Sequence, residues 1–262
     1  MVVYLTYLVL GAVAGLLAGL FGIGGGLIIV SVLVITFSAL GVSQEVLVHL
    51  AVGTSLATII PTSLSSSFTH HKKQGVKWAW VKLITLGLAG GAFVGAWTAS
   101  LLSGFALQAI IGVFVMLVAV QMVLKLQPKP KESEPRAGLL ISAGGVIGWA
   151  STIFGIGGGT LSVPFLTWCN AGMRQAVGTS AALGFPIAVF GALGYLWAGW
   201  QHPNLPDLSS GYIYWPAFIG ISIASVPFAR VGVRLAHFLP ELLLKRLFAA
   251  MLFLVGLKLL LF

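Results

Sequence analysis

Acidic side chains are nearly absent from this sequence. Its carboxylates are Glu45, Glu132, Glu134, Asp207 and Glu241, each in a loop or at the edge of an apolar run. Ion coupling through buried Asp or Glu normally leaves an acidic residue inside a span, so such a pathway has no candidate here. Only His49 is placed to relay protons inside the bilayer. Cysteine is as scarce: Cys169 stands alone, which excludes an intrachain disulfide and a multi-cysteine metal site, and reads as a small packing residue. No His-Glu-x-x-His, Gly-x-Ser-x-Gly or paired-carboxylate pattern occurs. Neither an enzyme nor a cofactor or metal centre is expected.

Charged residues make up 7% of the chain, against about 25% in an ordinary soluble domain, while 58% is hydrophobic. The composition is that of a polytopic membrane protein. Apolar runs cover residues 4–38, 46–69, 76–102, 105–126, 138–169, 175–200, 211–229 and 241–262. They leave no room for a separate soluble domain, and most approach the ~20 residues a spanning helix needs. Met1 to Leu20 carries no charge, unlike the basic start of a secretory signal, and is expected to be retained. The formal charge of +9 is read as marking the cytoplasmic face rather than nucleic acid.

Two glycine runs interrupt this pattern. Phe21 to Leu33 reads FGIGGGLIIVSVL and Phe154 to Leu166 reads FGIGGGTLSVPFL. Val52-Gly53-Thr54-Ser55 returns as Val177-Gly178-Thr179-Ser180, with Pro61 and Pro186 eight residues beyond each glycine. The chain is an internal duplication. The first repeat is 1–126, a Pro- and charge-rich cytoplasmic linker occupies 127–137, and the second repeat is 138–262.

The basic residues orient the repeats. If both broken runs crossed the membrane fully, the basic loops would scatter over the two faces. If each is a hairpin with glycines at its tip, every Lys and Arg except Lys258 falls on one side. That count predicts an all-α protein of two inverted repeats, each a Gly-broken helical hairpin plus three transmembrane helices. It lies in a cell (inner) membrane with both termini extracytoplasmic.

Consecutive glycines destabilise a helix by about 1 kcal/mol each unless something uses the exposed backbone. The helix restarting at Leu27 or Thr160 would point free N–H groups and a positive dipole end at the break, an arrangement suited to an anion. The candidate substrate-binding residues are therefore Gly24, Gly25, Gly26, Gly157, Gly158 and Gly159, with hydroxyls from Thr54, Ser55, Thr179 and Ser180. Close helix packing and ordinary interhelical hydrogen bonding are the structural alternatives. For Gly11, Gly15 and Gly19, and for Gly87, Gly91 and Gly95, packing is the preferred reading. His49 and Arg174, each four residues before a repeated glycine, are candidates for a gate or attracting charge, with a positive-inside anchor equally open for Arg174.

The paired FGIGGG-x-x-x-V-x-x-L runs, the paired VGTS segments and the parallel between Gly95–Leu107 and Gly232–Leu244 resemble the TauE/SafE family of membrane permeases over essentially the whole chain. The resemblance implies a secondary transporter for small sulfur-containing anions such as sulfite or organosulfonates. An anion channel or a non-transporting membrane scaffold is the alternative. One departure is Ser31 where the second run has Pro164, the position at which such runs usually carry proline, so the half-sites are expected to be unequal. The partners implied are a small anion and the lipid bilayer, not nucleic acid, with homo-oligomer formation left open.

Overall fold

The computed structural model describes residues 2–21, 25–124, 135–235, 249–250, 252–254 and 256–260. Gly24 and most of the expected 127–137 linker lie outside the described residues. The helices are α1 (Val2–Phe21), α2 (Gly26–Ala39), α3 (Gln44–Lys72), α4 (Trp78–Ser100), α5 (Gly104–Leu124), α6 (Ala137–Phe154), α7 (Gly159–Trp168), α8 (Met173–Ala198) and α9 (Trp215–Leu235). Further helical residues follow within 249–260. A two-stranded antiparallel hairpin, β1 (Ser209–Ser210) with β2 (Ile213–Tyr214), sits between α8 and α9. Apart from that hairpin and the connecting turns, the described residues are helical.

Among the described residues, α3, α4, α5, α6, α8 and α9 are long and apolar enough to cross a membrane. The broken runs behave differently in their second arms. With 14 and 10 residues, α2 and α7 rise about 21 and 15 Å, short of the ~30 Å hydrocarbon core.

The two helices carrying the VGTS segments form the centre. Gly53 of α3 lies against Tyr195 of α8, Leu56 against Gly191, and Ser63 against Gly184. Numbers rise along one helix as they fall along the other, so α3 and α8 run antiparallel. Each has an interior proline, Pro61 and Pro186, which supplies no N–H to the turn behind it.

Around this pair the same helix crossing is built twice. On one side α4 lies parallel to α6, with Gly91 on Gly145, Gly95 on Trp149, Gly144 on Ile84 and Gly148 on Leu88. On the other, α1 lies parallel to α9, with Gly11 on Ile221, Gly15 on Ser225 and Gly232 on Leu16. Under the alignment of Phe21 with Phe154 and Gly95 with Gly232, these are equivalent contacts. At each glycine a Cβ would overlap the partner's backbone. Lipid tails are as apolar as side chains, so such close approach, with its dispersion gain, is what joins helices in a bilayer. Gly11, Gly15, Gly87, Gly91 and Gly95 thus serve packing.

The outer faces are apolar: Phe105, Leu86, Val146, Ile223 and Leu117 are all more than 60% exposed. Exposed tryptophans sit near the helix ends. Trp97, Trp197, Trp200 and Trp215 lie toward one end of the bundle, and Trp78 lies at the other beside Lys72, Lys73 and Lys77. Such belts are where amphipathic indoles meet a membrane interface.

Candidate anion-binding site

The glycine runs are required by backbone conformation. Gly25 (φ 67°) and Gly158 (φ 78°) cap the N-termini of α2 and α7 in the left-handed region, and Gly155 (φ 66°) ends α6 there. A side chain in that region costs about 1–2 kcal/mol. The Gly25 carbonyl accepts from the amides of Ile28 and Ile29, both at 3.1 Å, and the Gly158 carbonyl from Leu161 and Ser162, at 3.0 and 2.6 Å. Each helix begins one residue before the predicted Leu27 or Thr160. Gly26 and Leu27, and Gly159 and Thr160, supply the first-turn amides for which a helix has no internal acceptor.

The two breaks meet inside the protein. Gly26 packs on the carbonyl of Gly155 and on Ile156, so closely that a Cβ would overlap both. The Ser55 hydroxyl donates to Gly155 O at 3.0 Å and to Gly26 O at 3.3 Å. The Gly157 carbonyl lies against Gly184 of α8 beside Ser63, about two turns along α3 from Ser55. Gly25, Gly26 and Gly155–Gly159 are all buried.

The repeated Gly-Thr pairs have matching partners. Thr54 Oγ1 accepts from the Tyr214 amide at 2.9 Å, and Thr179 Oγ1 accepts from the Lys77 amide at 3.0 Å. Gly53 lies under the Tyr212 carbonyl and Gly178 under that of Gly75. Each pair therefore seats the loop of the opposite half, after α8 in one case and after α3 in the other. The serines differ: Ser55 bridges the breaks, whereas Ser180 is fully buried and its hydroxyl has no partner.

His49 and Arg174 occupy equivalent positions with unlike surroundings. His49 is buried, its Nε2 donates to the Ala99 carbonyl at 3.0 Å, and its ring stacks on Tyr212 at 5.1 Å. Burial, and secondarily the Glu45 carboxylate, raise the Tyr212 phenol above its ordinary pKa. Glu45 itself accepts from Asn204 Nδ2 at 2.7 Å and lies 3.8 Å from His202. Arg174 is exposed beside the Gly75 turn. The cluster around His49 closes one end of the α3–α8 pair, and Arg174 lies among the basic residues at the other.

Sequence reasoning missed four hydroxyls around the second break. Ser151, Thr152, Thr160 and Ser162 each place a buried oxygen without a hydrogen-bond partner. Ser162 Oγ and Ser151 Oγ lie 3.1 and 3.6 Å from where a Cβ on Gly158 would stand. Their counterparts in the first repeat are Ala18, Gly19, Leu27 and Ile29. The signal was in the aligned runs, where Leu27 and Ile29 give way to Thr160 and Ser162. Among the described residues no group of His, Cys, Asp and Glu is placed to hold a metal.

Comparison with known proteins agrees with this architecture. The family model "Sulfite exporter TauE/SafE" matches residues 7–259. A "probable membrane transporter protein" of Haemophilus influenzae is 36% identical over 255 residues, covering 97% of each chain. Proteins with that same description from Methanocaldococcus jannaschii and Bacillus subtilis are each 28% identical. They cover 84% and 75% of this chain and 79% of their own length. No solved structure matches. With the family model matched along nearly its whole length and a relative of 36% identity described as a transporter, the chain belongs to the TauE/SafE family and is a membrane transporter rather than an enzyme.

Proposed function

We propose that this protein is a secondary transporter, a permease, for small sulfur-containing anions such as sulfite or organosulfonates. It works by alternating access around a site between the two glycine breaks. The observation that carries the reading is the Ser55 hydroxyl bonded to Gly26 and Gly155 at once, which puts the breaks of both halves at one buried point. Broken backbone at membrane depth persists where protein or a substrate cavity satisfies it, and helix starts at such breaks favour anions.

The donors match the substrate class. Amides at the starts of α2 and α7 and hydroxyls such as Ser180 suit a weakly basic oxyanion, which needs no full counter-charge. Thr54 and Thr179 complete the shell from helices whose hydroxyl oxygens also anchor the opposite loops, linking the site to both ends of the bundle. The antiparallel α3–α8 pair and the twice-built outer crossing support inverted repeats, in which rocking of one half against the other exposes the site alternately. The distribution of basic residues supports a cytoplasmic linker with both termini outside, in a cell inner membrane. His49 under Tyr212 is the gate on the outer side, and Arg174 is an anchor or attracting charge on the inner side.

Reconstituted protein tests the reading. Saturable anion uptake with counterflow is expected. Flux that rises linearly with the gradient and shows no exchange would make the protein a channel. Flux unchanged by bulky replacement of Gly25 and Gly158 in folded protein would make it a scaffold.

A further inference from the structure

The two half-sites are built unequally. At the first break the start of α2 is closed by protein: Gly26 abuts Gly155 and Ile156, Gly25 abuts the Ala14 backbone, and the Ser55 proton is committed to two carbonyls. At the second break, Gly158 is faced by side chains rather than backbone, Ile187 Cδ1 nearest and the Ser162 and Ser151 hydroxyls beside it. Ser151 and Ser162 are both fully buried, neither hydroxyl has a partner, and they approach the same point beside the start of α7 from α6 and from α7 itself. Unpartnered buried hydroxyls are destabilising and uncommon. Their counterparts are Ala18 and Ile29, so the duplication shows that a helix pair of this kind is built without them.

On the basis of the transporter reading above, we infer that the second break is the anion's principal seat, that Ser151 and Ser162 are its hydroxyl donors, and that it selects singly charged oxyanions over doubly charged ones. The selection follows from the donor set. Around Gly157–Gly159 the donors are the amides of Gly159 and Thr160 and neutral hydroxyls; among the described residues no Lys or Arg is buried, and the buried His49 is committed to Ala99 and Tyr212 at the bundle's end. Removing an ion from water costs free energy that grows with the square of its charge, whereas attraction to fixed dipoles grows only linearly. Without a cation to compensate, a monoanion of the R–SO3 type is held and a dianion of similar size is rejected.

The test is calorimetric titration of the purified full-length protein with methanesulfonate, with hydrogensulfite in mildly acidic buffer, and with sulfate. Wild type, Ser151→Ala, Ser162→Ala and the double variant are compared with Ser142→Ala, which alters an exposed serine on α6. Each site variant should bind the monoanions about tenfold or more weakly, the loss expected when a hydrogen bond to a charged group disappears. Ser142→Ala should bind as wild type does. Without anion, the site variants should melt no lower than wild type, because the removed hydroxyls have no protein partner, and monoanions should raise their melting temperature less. Unchanged affinity in both site variants overturns this assignment while leaving a transporter with its seat elsewhere. Sulfate binding as tight as methanesulfonate overturns the charge selection. A wild type that binds none of these anions refutes the transporter reading itself.

Discussion

Ser55 and Ser180 are copies of one position in the duplication, yet the structure gives them opposite energetic roles, and removing each hydroxyl tests that directly. Ser55 shares one proton between Gly155 O at 3.0 Å and Gly26 O at 3.3 Å. The shorter bond carries most of the interaction, and both carbonyls sit where water does not replace the lost donor. Ser55→Ala should therefore lower stability by about 1–2 kcal/mol. For a chain of this size that is a fall in melting temperature of roughly 2–8 °C. The Ser180 hydroxyl is fully buried and unpartnered, so Ser180→Ala removes a desolvated group that gains nothing from the fold. Its melting temperature should be equal to wild type or higher, and the double variant should melt no lower than Ser55→Ala alone. Thermal unfolding of detergent-purified protein in anion-free buffer, followed by circular dichroism, provides the readout. Equal losses in the two single variants, or no loss at Ser55, would refute the bridge between the breaks.

The packing, loop and topology claims have their own tests. Gly91→Ala forces a methyl into the Gly145 backbone and should destabilise the α4–α6 crossing by about 1–3 kcal/mol. Gly90→Ala, next to it with no atom within 4 Å of the added carbon, should be neutral or stabilising by thermal melting. Thr54→Val and Thr179→Val each leave a loop amide without its acceptor and should cost about 1 kcal/mol. They should also raise labelling of cysteines placed near Tyr214 and Lys77 respectively, each variant affecting only its own loop. With Cys169 replaced, single cysteines at Pro203 and Lys131 should react with impermeant reagent from opposite faces of the membrane; labelling of both from one face would remove the inverted arrangement.

Much of the fold was legible because the chain writes its signals twice. Doubled FGIGGG and VGTS segments pointed to a duplication, and the apolar runs matched most of the described helices to within a few residues, although α9 runs on to Leu235 past the expected 229 and the 241–262 run lies largely outside the described residues. The four-residue spacing of Gly87, Gly91 and Gly95 revealed a packing face but not its partner. That partner, α6, lies beyond the linker, and its matching glycines Gly144 and Gly148 become meaningful only once the helices are paired. The roles of Thr54 and Thr179 were hidden for a related reason. They seat loops that share no sequence, a short turn before Trp78 and a longer segment with a β-hairpin before Trp215, so no repeat pattern announces the contact.

The candidate site was legible as a pair of breaks more than as a set of atoms. Positive φ at Gly25, Gly155 and Gly158 explains why glycine recurs, and the meeting of Gly26 with Gly155 follows from the antiparallel α3–α8 pair, which spacing alone does not reveal. Similarity between the runs drew attention to what they share. The unpartnered hydroxyls sit where they differ, at Ser151, Thr152, Thr160 and Ser162.

Counterflow of a radiolabelled monoanionic sulfonate into proteoliposomes tests the central claim most directly. Wild-type protein should accumulate label transiently against an unlabelled internal pool and saturate with concentration. Gly158→Val, confirmed as folded, should abolish the overshoot, because its side chain crowds Ile187 and the Ser151 and Ser162 hydroxyls at the second break. An overshoot of wild-type size in folded Gly158→Val would contradict an anion path through the glycine breaks.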